Sequence, residues 1–356
     1  MTGVSTLEVA RDVRTLQVVD ADVHPHVRGG LAALAEFMPK DARVRAVSDA
    51  SAHEKALGEA SPDTAVHDLL DAHTLAAAVL LPLEPLNGFA DPLTASIYVS
   101  ALNRYFIETW LPVEERFNYA LVINPLDVDD ALAEIRRHAA TPQVVAVLLP
   151  LLNYLLGDSR YHPIYRAVQE HGLSIIVHPT GAEGIYYGAP VLAGGPPASG
   201  VERHADLPHV AQSNVNSLVM QGVFERFRGL QVVFAGFGCG WVFPLLWRMD
   251  MDWRRLRREV PWTRRLPSEY VSAHVRFTLQ PDDLPAHEPH LRAALELMDA
   301  ARTLLYSSDY PHWYGVDPRA QLLQLPPPFR HRVAGANAID TFGDRLRLKR
   351  AGDGTG

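Results

Sequence analysis

Eight short apolar runs, separated by segments with helical patterns, are the feature that most restricts the fold of this chain. The runs are Leu16 to Val23, Ala76 to Leu81, Tyr119 to Ile123, Val144 to Leu149, Leu173 to Val177, Gln231 to Ala235, His274 to Leu279 and Thr303 to Ser307. Most are continuously apolar, as in strands buried on both faces. Regular alternation of strand and helix predicts a parallel sheet. Eight such units favour a closed (β/α)8 TIM barrel over an open doubly wound sheet.

Two further observations support this choice. Val128 to Ala139 and Pro163 to His171 have the pattern of crossover helices, and Gly172 follows the second at the usual stop position. No glycine-rich phosphate loop follows the first strand, as a dinucleotide-binding sheet would require. We therefore predict that residues 1–356 form one barrel domain.

Three segments exceed the simple repeat. Residues 28–74 follow the first strand and residues 181–214 follow the fifth. Both leave the C-terminal ends of their strands, where long loops form lids and substrate pockets in barrels. Residues 321–356 are predicted to form a C-terminal helical tail, with a helix that ends near Asp340.

Composition limits the class of partner. The chain has 33 basic and 41 acidic residues, a net charge of −8 that disfavours nucleic acid as a partner. Cys239 is the single cysteine, so no intrachain disulfide can form, which fits a cytoplasmic location. No signal-peptide pattern and no run of the roughly 18 apolar residues typical of a membrane helix is present, so no membrane partner is expected.

Residues that bind metals follow three of the predicted strands. Asp22 and His24 end the first strand, His178 follows the fifth, and Asp309 follows the eighth. Asp22 and His24 are two residues apart and therefore share one side of an extended strand. Each group alone has a simpler explanation, such as a polar loop, a histidine bonded to backbone or a turn cap. Together, because a parallel barrel brings its strand ends to one mouth, they predict a divalent metal site.

Four segments carry a family resemblance. They are Val19-Asp20-Ala21-Asp22-Val23-His24-Pro25, Val177-His178-Pro179, Leu305-Tyr306-Ser307-Ser308-Asp309-Tyr310-Pro311-His312 and Gly335-Ala336-Asn337-Ala338. With them the chain resembles the amidohydrolase superfamily, in the branch that contains aminocarboxymuconate-semialdehyde decarboxylase and the resorcylate-type decarboxylases. The likeness runs from about Gln17 to Phe342.

The resemblance implies a set of ligands for one divalent metal ion, Zn²⁺ or Mn²⁺. By position in the family pattern, the ligands are Asp22, His24, His178 and Asp309. Many members of the family have histidine where this chain has Asp22, whereas the resorcylate-type decarboxylases resemble it in having a carboxylate. A second carboxylate makes Mn²⁺ more competitive with Zn²⁺. The resemblance also implies a homodimer.

The chain departs from the family pattern after the sixth strand. Relatives usually place a histidine or glutamate there, and this chain has Gly236. Three explanations are open. In the first, the alignment is shifted, or His204, His209 or His312 replaces the missing side chain. In the second, Asp309 and metal-bound water carry the proton chemistry. In the third, the catalytic activity of the protein is weakened.

The predicted catalytic residues are Asp309 and His178. Residues predicted to contact the substrate are Arg203, His204, His312 and His26; an arginine such as Arg203 can bind a carboxylate through two nitrogens.

Three functions fit these residues. The first is a metal-dependent carboxy-lyase (a non-oxidative decarboxylase) acting on a small aromatic or unsaturated carboxylic acid, in which Asp309 protonates the carbon that loses CO₂; its place would be in secondary metabolism. The second is a metal-dependent hydrolase of an amide, lactone or ester, with Asp309 as general base. The third is a non-catalytic or cyclase- or isomerase-type barrel, suggested only by Gly236.

Overall fold

The computed structural model describes residues 16–29, 33–40, 61–83, 91–181, 183, 188–192, 195–280, 283–312 and 317–348. Its strands are β1 (Val19–Val23), β2 (Ala77–Leu80), β3 (Phe117–Val122), β4 (Val144–Leu148), β5 (Ser174–Val177), β6 (Val232–Phe234), β7 (Val275–Thr278) and β8 (Leu304–Leu305). Each strand pairs in parallel with the next, in the order β1 to β8.

The first and last strand segments close the sheet on itself. The amide of Ala21 donates a hydrogen bond to the carbonyl of Tyr306 over 3.0 Å, and Val23 forms a parallel bridge with Tyr310. The predicted (β/α)8 TIM barrel is confirmed, with every predicted strand present. Several strands are shorter than their apolar runs, because buried residues such as Tyr306 continue beyond the paired backbone.

Helices cover the outside of the barrel. In chain order they are α1 (Pro62–Ala65), α2 (Pro92–Thr109), α3 (Val128–His138), α4 (His162–Glu170), α5 (Gly200–Met220), α6 (Val223–Arg226), α7 (Val242–Leu256), α8 (Pro267–His274), α9 (Glu288–Leu297), α10 (Ala300–Thr303), α11 (Pro318–Gln324), α12 (Pro327–His331) and α13 (Asn337–Phe342). Short 3₁₀ segments lie at Ala35–Phe37, Ser159–Tyr161 and Gly343–Arg345, and π-helical segments at Val66–Asp71 and Arg332–Ala336. No helix of the described ranges combines the length and apolar character needed to cross a bilayer.

The structure contains helices in both segments that were predicted as long loops, residues 28–74 and 181–214. Residues 200–214 are not loop, because α5 begins at Gly200; the Ser199 hydroxyl caps it by accepting a hydrogen bond from the Glu202 amide over 3.2 Å. Pro208 lies inside this helix and disguised its pattern in the sequence. Within 28–74 the structure places α1 and two short helical segments, and residues 30–32 and 41–60 lie outside the described ranges.

The predicted C-terminal helical tail is confirmed as far as residue 348, since residues 349–356 lie outside the described ranges, and it seals the N-terminal base of the barrel. The Arg345 guanidinium donates hydrogen bonds to the carbonyls of His171, Val144 and Ala139 over 3.0, 2.9 and 2.9 Å. Gly335 lies so close to the first strand that a Cβ there would be 2.1 Å from the Gln17 carbonyl oxygen. The Gly335-Ala336-Asn337-Ala338 segment is therefore part of the base, at the end opposite the strand termini that carry Asp22 and His178.

Candidate metal centre

Four side chains from three strand ends meet at the C-terminal mouth of the barrel. The Nε2 atom of His24 lies 3.3 Å from Asp22 Oδ1 and 2.9 Å from Asp309 Oδ1, and His178 Nε2 lies 3.5 Å from Asp22 Oδ1. Two ligands that each lie about 2.1 Å from a shared ion are separated by roughly 3.0–3.4 Å. The observed separations of 2.9, 3.3 and 3.5 Å are close to those expected between the ligands of a single cation.

Both histidines present the same nitrogen to this cluster. His24 Nδ1 lies 3.0 Å from the Leu81 carbonyl oxygen, and His178 Nδ1 lies 2.7 Å from the Pro179 carbonyl oxygen. A carbonyl oxygen only accepts, so each Nδ1 donates a proton and each neutral ring keeps a lone pair on Nε2. This is how backbone carbonyls orient metal-binding histidines.

The atoms that face one another are acceptors without donors. His24 Nε2, His178 Nε2 and Asp22 Oδ1 are buried and make no well-formed hydrogen bond within the described residues, despite their short separations. Buried polar atoms normally have partners, because desolvation without one is costly. Since lone pairs that point at one another repel, a cation is the partner that suits all three atoms, and this donor set fits a divalent metal.

The electrostatics of the cluster favour positive charge. Burial disfavours a charged His178 ring, but the Asp22 carboxylate outweighs burial and raises the pKa of His178. Burial acts to raise the pKa of Asp309, yet the neighbouring His24, His312 and His178 rings stabilise its carboxylate and hold that pKa well below its usual range. Asp309 is thus a carboxylate at neutral pH.

Asp20 and two serines surround the carboxylates, and the sequence did not indicate these contacts. Asp20 Oδ1 accepts hydrogen bonds from the Asp22 amide (3.2 Å) and the Ser308 amide (3.1 Å), which ties β1 to the segment after β8. Ser307 Oγ lies 3.3 Å from Asp22 Oδ2. Burial, against the opposing Ser308 hydrogen bonds, raises the pKa of Asp20 to about 7. The available signal was the Asp20-x-Asp22-x-His24 alternation, in which Asp20 shares the inward side but lies deeper.

Asp309 is held in an unusual backbone conformation. Its φ is +59°, in the left-handed region that residues other than glycine rarely adopt. The His24 amide donates to the Tyr310 carbonyl over 2.7 Å, and the Tyr310 amide donates to Ser308 Oγ over 3.1 Å, so both sides of Asp309 are fixed. Such strained positions occur at functional sites, where neighbouring contacts hold them in place.

His26 and His312 lie beside the four converging side chains. His312 Nδ1 is 3.5 Å from Asp309 Oδ1, and the His312 ring is centred 5.3 Å from that of His24 and 5.9 Å from that of His26. Burial, followed by the neighbouring His312 and His24 rings, lowers the pKa of His26 to about 4, so the His26 ring is neutral. His24, Asp309 and His312 form a second possible group of ligands. It shares the Nε2 atom of His24 with the first group of Asp22, His24 and His178, so the two groups adjoin at His24.

The other predicted contacts lie farther out. Arg203 is on α5, and its Nη1 atom is 3.6 Å from Glu183 Oε2. Glu183 is buried and accepts hydrogen bonds from the Thr180 and Gly181 amides after β5. His204 is exposed, and His209 is exposed and pairs with Asp206 over 3.7 Å. Of the three histidines considered as replacements for the sixth-strand side chain, His312 is the one that the structure places against Asp309.

A carboxylate from the segment after β7 fixes the glycine-rich segment after β6. Asp283 Oδ2 accepts hydrogen bonds from the amides of Cys239 and Gly240, the second over 2.9 Å. A Cβ on Gly238, whose φ is +69°, would lie 2.8 Å from the same oxygen. Gly238 and Gly240 therefore make room for Asp283, and the amides of Cys239 and Gly240 stabilise its carboxylate just before α7.

We expect Asp283→Ala to lower the free energy of unfolding by about 2 kcal/mol, because it removes two hydrogen bonds to a charged, partly buried acceptor. Chemical denaturation followed by circular dichroism measures the change. Asp344→Ala, at an exposed position in the tail, is the matched control and should change stability little. Equal effects for the two variants would contradict the structural role of Asp283.

Comparison with known proteins assigns the chain to a family. The sequence profile of the amidohydrolase family matches residues 19–343. The chain therefore belongs to the amidohydrolase family and is an enzyme of that superfamily, which confirms the resemblance drawn from its four segments. No curated protein matches the chain by sequence.

Solved structures share the fold at low identity. The 5-carboxyvanillate decarboxylase of Sphingomonas paucimobilis is 19% identical with a TM-score of 0.64, over 92% of this chain and 99% of its own. A dihydroxybenzoic acid decarboxylase of Polaromonas, solved with manganese and the inhibitor 2-nitroresorcinol, is 16% identical with a TM-score of 0.66, over 92% and 97%. An amidohydrolase of Mycobacterium avium subsp. paratuberculosis is 17% identical with a TM-score of 0.70, over 92% and 98%.

Proposed function

We propose that this enzyme is a metal-dependent carboxy-lyase that removes CO₂ from an aromatic or unsaturated carboxylic acid. The observation that carries the proposal is the set of four converging acceptor side chains, three of them buried and two of them carboxylates, at the mouth of an amidohydrolase barrel. Decarboxylases of aromatic acids among the proteins of the same fold support the choice of reaction.

We propose Asp22, His24, His178 and Asp309 as the ligands of one divalent ion. Bound there, the ion would supply positive charge to the substrate carboxylate and to an oxygen beside it. Two carboxylate ligands make Mn²⁺ our first choice over Zn²⁺, and the manganese bound in the Polaromonas relative supports this. A homodimer, a cytoplasmic location and a role in secondary metabolism stay predictions from sequence.

Asp309 is the proposed proton carrier. It is 14% exposed at the mouth, so a substrate can reach it, and its depressed pKa keeps it ionised at neutral pH. A proton that Asp309 delivers must therefore first be taken up, and a hydroxyl beside the substrate carboxylate is a suitable source. Asp309 then gives that proton to the ring carbon that bears the carboxylate. The bond from that carbon to the carboxylate breaks, CO₂ leaves, and the electron pair restores the ring as a phenolate.

The remaining predicted residues contribute substrate contacts in this proposal. His312 is one-third exposed beside Asp309 and can donate to a substrate oxygen. His26 is neutral and its Nε2 atom makes no hydrogen bond within the described residues, so it can accept one from the substrate. Arg203 Nη1 likewise makes no well-formed hydrogen bond there and is our candidate for a second carboxylate or hydroxyl. His204, which is exposed on α5 one residue after Arg203, is proposed as a further substrate contact.

The test is turnover on matched substrates. We expect the full-length Mn²⁺-loaded enzyme to release CO₂ from at least one member of a panel of ortho-hydroxylated benzoic acids, and to lose this activity on chelation. Isotope-ratio measurement of ¹³CO₂ from carboxyl-labelled substrates is the readout. The corresponding methyl esters and anilides are assayed in parallel. Hydrolysis of those without CO₂ release from the acids would replace the lyase by a hydrolase, and turnover that survives exhaustive chelation would contradict both.

A further inference from the structure

Gly236, directly after β6, lies against the ring of His178. A Cβ at this position would be 2.3 Å from His178 Nε2, 2.7 Å from Cε1 and 2.8 Å from Cδ2. Real Cβ atoms essentially never come within 3.0 Å of a non-bonded heavy atom, so any side chain at 236 would force a movement. The nitrogen it would meet first is the one that His178 presents to Asp22.

Neither the backbone at Gly236 nor the ring of His178 can move aside without losing hydrogen bonds. The Gly236 amide donates to Thr278 Oγ1 on β7 over 3.1 Å, and its φ of +75° is a conformation that suits glycine. Asp283 fixes the backbone that follows through the amides of Cys239 and Gly240. On the other side, the bond from His178 Nδ1 to the Pro179 carbonyl fixes the ring.

We infer that Gly236 is a positioning residue for His178: the bare Cα leaves the space in which the imidazole turns its Nε2 atom toward Asp22. The position that follows β6 is then not a gap in the site, because the ring of His178 fills it. This accounts for a glycine where the family pattern has a polar side chain. The inference rests on the metal site of the proposed function but not on the reaction assigned to it.

The first experiment compares two glycine variants. Gly236→Ala adds a methyl group against His178; Gly343→Ala adds one at a similar φ of +60° with no atom within 4 Å. We expect the first to weaken Mn²⁺ binding at least tenfold and the second to leave it unchanged, measured by isothermal titration calorimetry on protein shown to be folded by circular dichroism. Wild-type Mn²⁺ affinity in Gly236→Ala would overturn the inference.

The second experiment needs no metal. If the methyl group acts through the imidazole, Gly236→Ala should lower the melting temperature of the metal-free wild-type protein more than that of a His178→Ala background. In that background only the backbone strain also present in Gly343→Ala should persist. Equal shifts in both backgrounds would show that Gly236 serves the backbone alone. Wild-type protein that binds no divalent ion would overturn the proposed function, and this second comparison would still decide the role of Gly236.

Discussion

Replacing His178 by alanine is expected to weaken divalent-metal binding at least ~100-fold, because even the loss of residues that merely orient a ligand often costs about 10–100-fold. His178 supplies one of the three buried acceptor atoms of the proposed metal centre that make no hydrogen bond within the described residues. Its removal leaves Asp22 Oδ1 with His24 as its single nitrogen neighbour from these ligands. Inductively coupled plasma mass spectrometry after dialysis against trace Mn²⁺ measures the bound metal.

The matched control is His331→Gln, a histidine on the exposed surface of the tail. It should retain the metal content of the wild type and the same melting temperature. Full metal occupancy in His178→Ala, with both variants folded, would remove His178 from the ligand set and with it the centre as we describe it.

Replacing Asp309 by asparagine is expected to lower kcat by about 10²–10⁴-fold, the range typical of a lost acid–base group. Asparagine keeps the shape of the side chain and one oxygen but cannot take up and return a proton. Because Asp309 is also a proposed ligand, the assay is run at saturating Mn²⁺, with bound metal measured on the same samples. Initial rates of CO₂ release on the best acid of the panel give the comparison.

The control for this prediction is Asp317→Asn, in which the carboxylate caps α11 through the Arg319 amide and is more than half exposed. It should leave kcat within about twofold, since an exposed cap contributes to local stability alone. An Asp309→Asn enzyme that retains metal and turns over at the wild-type rate would show that another group moves the proton, and His312, at 3.5 Å from Asp309, would be the next to examine.

The architecture was predictable because it depends on patterns that repeat. Buried parallel strands are continuous apolar runs, and Val144–Leu148 or Ser174–Val177 can be read directly from composition and spacing. The convergence of the proposed ligands was predictable for a related reason: once strands are parallel, the residues at their C-terminal ends must share a mouth. Asp22 and Asp309 are nearly three hundred positions apart in sequence, yet each lies within 3.3 Å of the same His24 nitrogen.

The features that the sequence did not predict depend on contacts with backbone atoms and on exceptions to helix propensity. No pattern of side chains shows that the Leu81 carbonyl selects the tautomer of His24. From the sequence, Gly236 indicates the loss of a polar side chain after the sixth strand. The sequence does not show that the ring of His178 occupies that position. Residues 200–214 were predicted as part of a long loop, and they form the first part of α5, with Pro208 inside the helix although proline is unfavourable there.

The base of the barrel has a consequence for its mouth. Strand β8 is only two residues long, and its support comes from the tail: the Tyr306 amide donates to the Val333 carbonyl over 3.0 Å, and the Asn337 side chain donates to the carbonyls of Ala300 and Leu304 over 3.1 and 2.8 Å. Asp309 lies four residues beyond the end of this strand. A screen of random variants for lost turnover should therefore recover substitutions at Asn337, far from any reactant. Loss of the Asn337 hydrogen bonds at the base would shift β8 and, with it, the segment that carries Asp309.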